Sequence, residues 1–146
     1  MIRLLKFLPV TLLLFIGACS KDSATPAPAP TTINFTATLS GANEVPANPS
    51  TATGTATGVF NTTTKVLTVT TTYAGITVTA AHIHKAAAGS NGPVEFPFTV
   101  SASPIVFASA ALSASDESDL KENKMYVNLH SAAYGGGEIR GQLIKQ

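Results

Sequence analysis

An antiparallel all-β fold, a Greek-key sandwich or flattened barrel of seven to eight strands, is what this sequence predicts, on three observations. Threonine, valine, alanine and glycine dominate a chain without tryptophan, a composition suited to pleated, half-buried surfaces. Short runs of strand length carry apolar residues at alternate positions, the period of a strand with one wet face. No segment carries a convincing helical apolar repeat, and turn residues separate the runs.

In chain order, residues 1–18 come first and are set apart from the fold. Arg3 and Lys6 give a positive start, Phe7 to Ile16 an apolar stretch, and Gly17-Ala18 the small residues of a signal-peptide cleavage point. That stretch is roughly ten residues, short of the about 20 a spanning helix needs. The order Ile16-Gly17-Ala18-Cys19 resembles a bacterial lipobox, which implies lipidation of Cys19 and anchoring to a membrane, with the outer membrane of a cell envelope expected. Cys19 is the single cysteine of the chain, so no intramolecular disulfide forms and the fold must rest on a packed core. Residues 19–32, rich in proline, alanine and threonine, read as an extended tether, and residues 33–146 as one domain.

The expected strands are Ile33–Ser40, Gly54–Asn61, Val66–Tyr73, Val78–His84, Val94–Thr99, a weaker one at Ile105–Ala110, Met125–His130 and Glu138–Ile144. Leu67 and Val69 alternate with Thr68 and Thr70, as a half-buried antiparallel strand requires, and Asn61–Lys65 reads as a hairpin turn. Ser113–Lys124 is the one expected helix, with serine available as N-cap and acidic residues in its first turn.

All three histidines fall in two of the strands, as Ala81-His82-Ile83-His84 and as the last residue of Tyr126-Val127-Asn128-Leu129-His130. Side chains alternate across a strand, so His82 and His84 share one face while Ile83 takes the other, and His130 shares its face with Tyr126 and Asn128. Neutral imidazole is a common metal ligand, so His82, His84 and His130 make a candidate three-nitrogen site. Copper is favoured over zinc, since the set is all nitrogen and the Irving–Williams order peaks at Cu(II). Three half-exposed surface histidines are the alternative.

In Gly135-Gly136-Gly137-Glu138-Ile139-Arg140-Gly141-Gln142-Leu143, the glycines make a turn into the last strand, and alternation puts Ile139 and Leu143 inward. Glu138, Arg140 and Gln142 then lie on the outer face. Pairing with the His130 strand would bring Glu138, Arg140 and Asn128 near the histidines, with Glu138 orienting an imidazole and Arg140 attracting a small anion. A structural Glu138–Arg140 pair is the plainer alternative. Glu44, in the turn after the first strand, could be a ligand or a cap, with a solvated loop acid as default, and Ala86–Pro93 is a small-residue loop able to lie close to a site.

Without residues 1–18, seven basic residues face eight acidic ones, and no basic patch points to nucleic acid. No serine elbow, nucleophile–base pair or phosphate-binding glycine loop appears. No sequence feature identifies a protein or small-molecule partner.

The segments Phe35 to Pro46, Ala81–His84 with Asn91–Val94, Tyr126–His130 and Gly136–Leu143 together resemble the CHRD domain, a family named for its occurrence in chordin, over residues 33–144. The family's bacterial members imply no fixed activity. His-x-His on one strand, a later histidine and a glycine-rich turn into a final strand are also similar to the copper half of copper/zinc superoxide dismutases, which implies a Greek-key barrel with metal on its outer face. Those enzymes use a further bridging histidine that has no counterpart between His84 and His130. Three functions therefore stand: a copper-binding module, a structural or adhesive domain without metal, and a copper-dependent oxidoreductase of dismutase type.

Overall fold

Along β1 (Thr32–Ser40), Phe35, Ala37 and Leu39 are buried while Asn34, Thr36 and Thr38 are exposed, and that alternation sets which face of the sheet becomes the core. The computed structural model of the protein describes residues 31–146, so the proposed signal peptide, Cys19 and nearly all of the tether lie outside the described residues. No helix among the described residues is long and apolar enough to cross a membrane.

The strands that follow are β2 (Thr53–Asn61), β3 (Val66–Ala74), β4 (Ala80–Lys85), β5 (Val94–Pro97), β6 (Ile105–Ala111), β7 (Met125–His130), β8 (Ile139–Gln142) and β9 (Ile144–Lys145), with α1 (Ala114–Lys121) between β6 and β7. All pair antiparallel, in the order β5-β4-β7-β8-β1-β2-β3-β6, and β9 adds to β1. The edges β5 and β6 share no backbone ladder. Phe107 of β6 instead packs against Phe96 and Phe98, with ring centroids 5.8 and 4.7 Å apart, and the sheet curls into a nearly closed barrel. Aromatic contact thus shields the edges that would otherwise invite strand pairing between molecules.

The interior holds Phe35, Leu39, Phe60, Leu67, Val69, Ile83, Ile105, Val127, Leu129, Ile139 and Leu143. The expected hairpin joins β2 to β3: Asn61 Oδ1 accepts from the N–H groups of Thr63 and Thr64, both at 2.9 Å, and Lys65 takes a positive φ of 62°. The expected helix forms as α1. Ser113 Oγ accepts from Asp116 N, Asp116 and Glu117 lie in the first turn, and Leu120 is fully buried in the core cluster. Lys85 ties this helix to the sheet through Asp116, Asp119 and, on β5, Glu95.

The last expected strand, Glu138–Ile144, divides into β8 and β9. β8 pairs with β7 over four positions and touches β1 at Ser40, whereas β9 pairs with β1 at Phe35 and Thr36. The chain changes partner at Leu143, whose N–H still donates to Met125 O.

Candidate metal centre

β4 lies beside β7 in a register that sets Ala80 opposite His130, His82 opposite Asn128 and His84 opposite Tyr126; β8 on the other side sets Arg140 opposite Asn128 and Gln142 opposite Tyr126. Directly opposed residues share a face, so two rows run across three strands: His82-Asn128-Arg140 and His84-Tyr126-Gln142. His130 stands two residues beyond Asn128. Ile83, Val127, Leu129 and Ile139 fill the opposite, inner face and are completely buried. Alternation therefore delivers the three histidines to one outer patch, as the sequence predicts.

That patch is not an open sheet surface. Every residue of β7 is buried, including Asn128 and His130, and so are Glu138 and Arg140. Three loops cover it: 41–50, 86–93 and 131–137. Arg140 fastens the first two, its Nε donating to Asn43 O at 2.6 Å and its Nη1 to Asn91 Oδ1 at 2.8 Å and Ser90 O at 3.3 Å. Its guanidinium lies 4.5 Å from the centre of the Tyr126 ring. Asn91 Nδ2 donates to Val45 O at 2.8 Å, joining the two loops directly, and Asn48 Nδ2 reaches Gly137 O and Glu138 O in the third.

Two of these loops also orient the imidazoles. Gly92 O accepts from His84 Nδ1 and Gly135 O from His130 Nδ1, each at 3.0 Å. A carbonyl only accepts, so both protons sit on Nδ1, and in the neutral rings each Nε2 carries a lone pair. His82 Nδ1, 3.1 Å from His130 Nε2, then donates to it in the metal-free protein. One ligand nitrogen from each of the three rings lies within 4.8 Å of the others, and His84 Nε2 is buried without a protein partner among the described residues. His84 also stacks on Tyr126 at 4.9 Å, with the rings 4° from parallel.

Burial is the main cause that lowers the affinity of both His82 and His84 for a proton below the ordinary histidine value. The other histidines push His82 further the same way. At His84 the Gly92 carbonyl works against burial, while His130 and Arg140 add to it. The shift favours the neutral form that a metal requires.

Glu138 follows on the register of β7 and β8, next to His130, and is buried. It accepts from Ser50 Oγ at 2.7 Å, and the orienting task assigned to it belongs to the carbonyls of Gly92 and Gly135. Among the described residues Arg140 makes no ion pair with Glu138 or any other carboxylate. Glu44, expected by default to be solvated, is buried under the loops, with Oε2 3.5 Å from Asn128 Nδ2. Its burial raises its hold on a proton, opposed by the charge of Arg140 and the Asn128 hydrogen bond. Gly137, at φ 130°, closes over this pair: a Cβ there would meet both amide atoms of Asn128 and Oε1 of Glu44 at 2.8 Å. The glycine run ending at Gly137 is the sequence signal of this close approach, and within it only Gly137 makes one, since a Cβ at Gly135 or Gly136 would meet nothing within 4 Å.

A model of the CHRD domain family matches residues 35–143. No curated protein and no solved structure matches the chain.

Proposed function

The chain belongs to the CHRD domain family, and from that premise we propose that it is an extracytoplasmic metal-binding module which takes one copper ion through His82, His84 and His130. The observation that carries this is the convergence of three imidazoles, two of which have their ligand nitrogens set by loop carbonyls. Two nitrogens bound to one ion at about 2.0–2.1 Å stand roughly 2.9–3.4 Å apart for bond angles between square and tetrahedral. The 3.1 Å between His82 Nδ1 and His130 Nε2 already falls in that span. The set as a whole is wider, so loading draws the third imidazole inward and moves the His82 proton to its other nitrogen. An all-nitrogen, cysteine-free donor set favours copper over zinc.

After removal of the signal peptide, a lipidated Cys19 would hold the domain at the outer membrane by a Pro-rich tether. The dismutase-type reading asks Arg140 to guide an anion, yet its Nε and Nη1 are committed to the loops and its face to Tyr126, which supports the binding module over the enzyme. Titration of the untagged protein with copper and zinc, followed by metal analysis after dialysis, tests the proposal. One retained equivalent of copper, lost at least 100-fold in affinity in His84→Ala with unchanged circular dichroism, is the expected result. No retained metal leaves the structural or adhesive reading.

A further inference from the structure

Besides His84 Nε2, two buried atoms of this patch have no protein partner: Glu44 Oε1 and Asn128 Oδ1. Each is a hydrogen-bond acceptor, and burying an acceptor without a donor costs about 1–3 kcal/mol. They lie close together, since the point that a Cβ on Gly137 would occupy is 2.8 Å from both. The pair adjoins the histidines, because Asn128 is paired with His82 across the strands and stands two residues from His130 on one face. Two oxygens and one imidazole nitrogen, all acceptors without a protein partner, thus belong to the covered patch that holds the histidine cluster.

We propose that Glu44 and Asn128 select the fourth ligand of the three-histidine centre: a neutral molecule that donates hydrogen bonds, such as water or an amine, in preference to an anion. The inference rests on the metal-site reading and adds its ligand specificity. A ligand atom that binds the ion through a lone pair and carries two hydrogens satisfies both oxygens at once. An anion brings no hydrogen, leaves both acceptors bare, and meets the charge of Glu44. Arg140 lies in the same row, but its Nε and Nη1 donate to oxygens of Asn43, Ser90 and Asn91, whereas the Glu44 carboxylate accepts directly from the Asn128 amide.

The probe is azide, an anion whose binding to Cu(II) gives a visible charge-transfer band, titrated into the copper-loaded untagged protein. The expected result is weak azide binding by the wild type, and an affinity raised about tenfold or more in Glu44→Gln, which removes a unit charge at short range. Asn128→Asp, which adds one, is expected to weaken azide further and serves where the Glu44 variant does not fold. Equal azide affinity in wild type and both variants overturns the inference, as does failure of azide to bind any of them, since the centre would then have no open position. Failure of the wild type to take up copper removes the metal reading itself and is seen before azide is added.

Discussion

Two stretches of one sheet follow the same alternating pattern and end in opposite states. On β1, β2 and β3 the outward positions hold threonines in cross-strand rows, Thr36-Thr57-Thr70 and Thr38-Thr55-Thr72, and most are exposed. Thr55 and Thr72 satisfy one another through a 2.8 Å hydroxyl contact, and the face needs nothing above it. On β4, β7 and β8 the outward rows hold histidine, asparagine, tyrosine, arginine and glutamine, of which Tyr126, Asn128, His130 and Arg140 are buried beneath loops while His82, His84 and Gln142 are half-buried. Burying such groups is unfavourable unless each finds a partner, and here polar loop groups supply partners to Arg140, His84, His130 and Tyr126. A wet face can be built from residues that merely favour strands. A covered polar face requires loops fitted to it, and that fitting is what marks the second region as the candidate site.

The sharpest way to break this contrast is Arg140→Ala. Removing the clamp leaves Asn43 O, Ser90 O and Asn91 Oδ1 without their donor and opens a hole beside Tyr126, for an expected loss of about 3 kcal/mol in denaturant unfolding. Gly137→Ala comes next, at about 2 kcal/mol, because the added methyl meets Asn128 and Glu44 at a positive φ. Such a variant should also weaken copper retention, since Asn128 stands beside His82.

Glu44→Gln sharpens the comparison through pH. Burial raises the Glu44 carboxyl above its ordinary value of 4.5, so the folded state holds that proton more tightly than the unfolded chain. Its favourable contribution is present below that ordinary value and is lost as pH rises through the raised one. The metal-free variant escapes this loss. Its unfolding free energy should match wild type at about pH 4 and exceed it at about pH 7, as denaturant titrations at the two values would show. On the open face, Thr57→Ala should change stability by less than about 0.5 kcal/mol in the same assay.

How far the sequence discloses this division depends on the interaction concerned. The strands are legible because burial imposes a two-residue period, as in Leu67 and Val69 against Thr68 and Thr70, and the Asn61–Lys65 hairpin because asparagine caps its own turn. The histidine patch is legible for the same reason: alternation around Ile83 and Leu129 decides its face. The cover is not. Loops 41–50, 86–93 and 131–137 are held mainly by Arg140, Asn43, Asn48 and Asn91 bonded to backbone carbonyls, and such bonds leave no periodic trace. Tyr126, Asn128 and His130 therefore read as a wet face, and Glu44 as a solvated acid, although all four are buried. The break between β8 and β9 is hidden likewise, because Ile139, Leu143 and Ile144 read as one apolar strand while the chain changes hydrogen-bonding partners among them.

The account stands or falls on three imidazoles sharing one ion. The measurement that tests it most directly is electron paramagnetic resonance of the untagged protein loaded with one equivalent of Cu(II), with superhyperfine splitting read for wild type and His130→Ala. The account predicts a single copper species coupled to three imidazole nitrogens, reduced to two in the variant. A spectrum with fewer nitrogens in the wild type, or one that His130→Ala leaves unchanged, would contradict it.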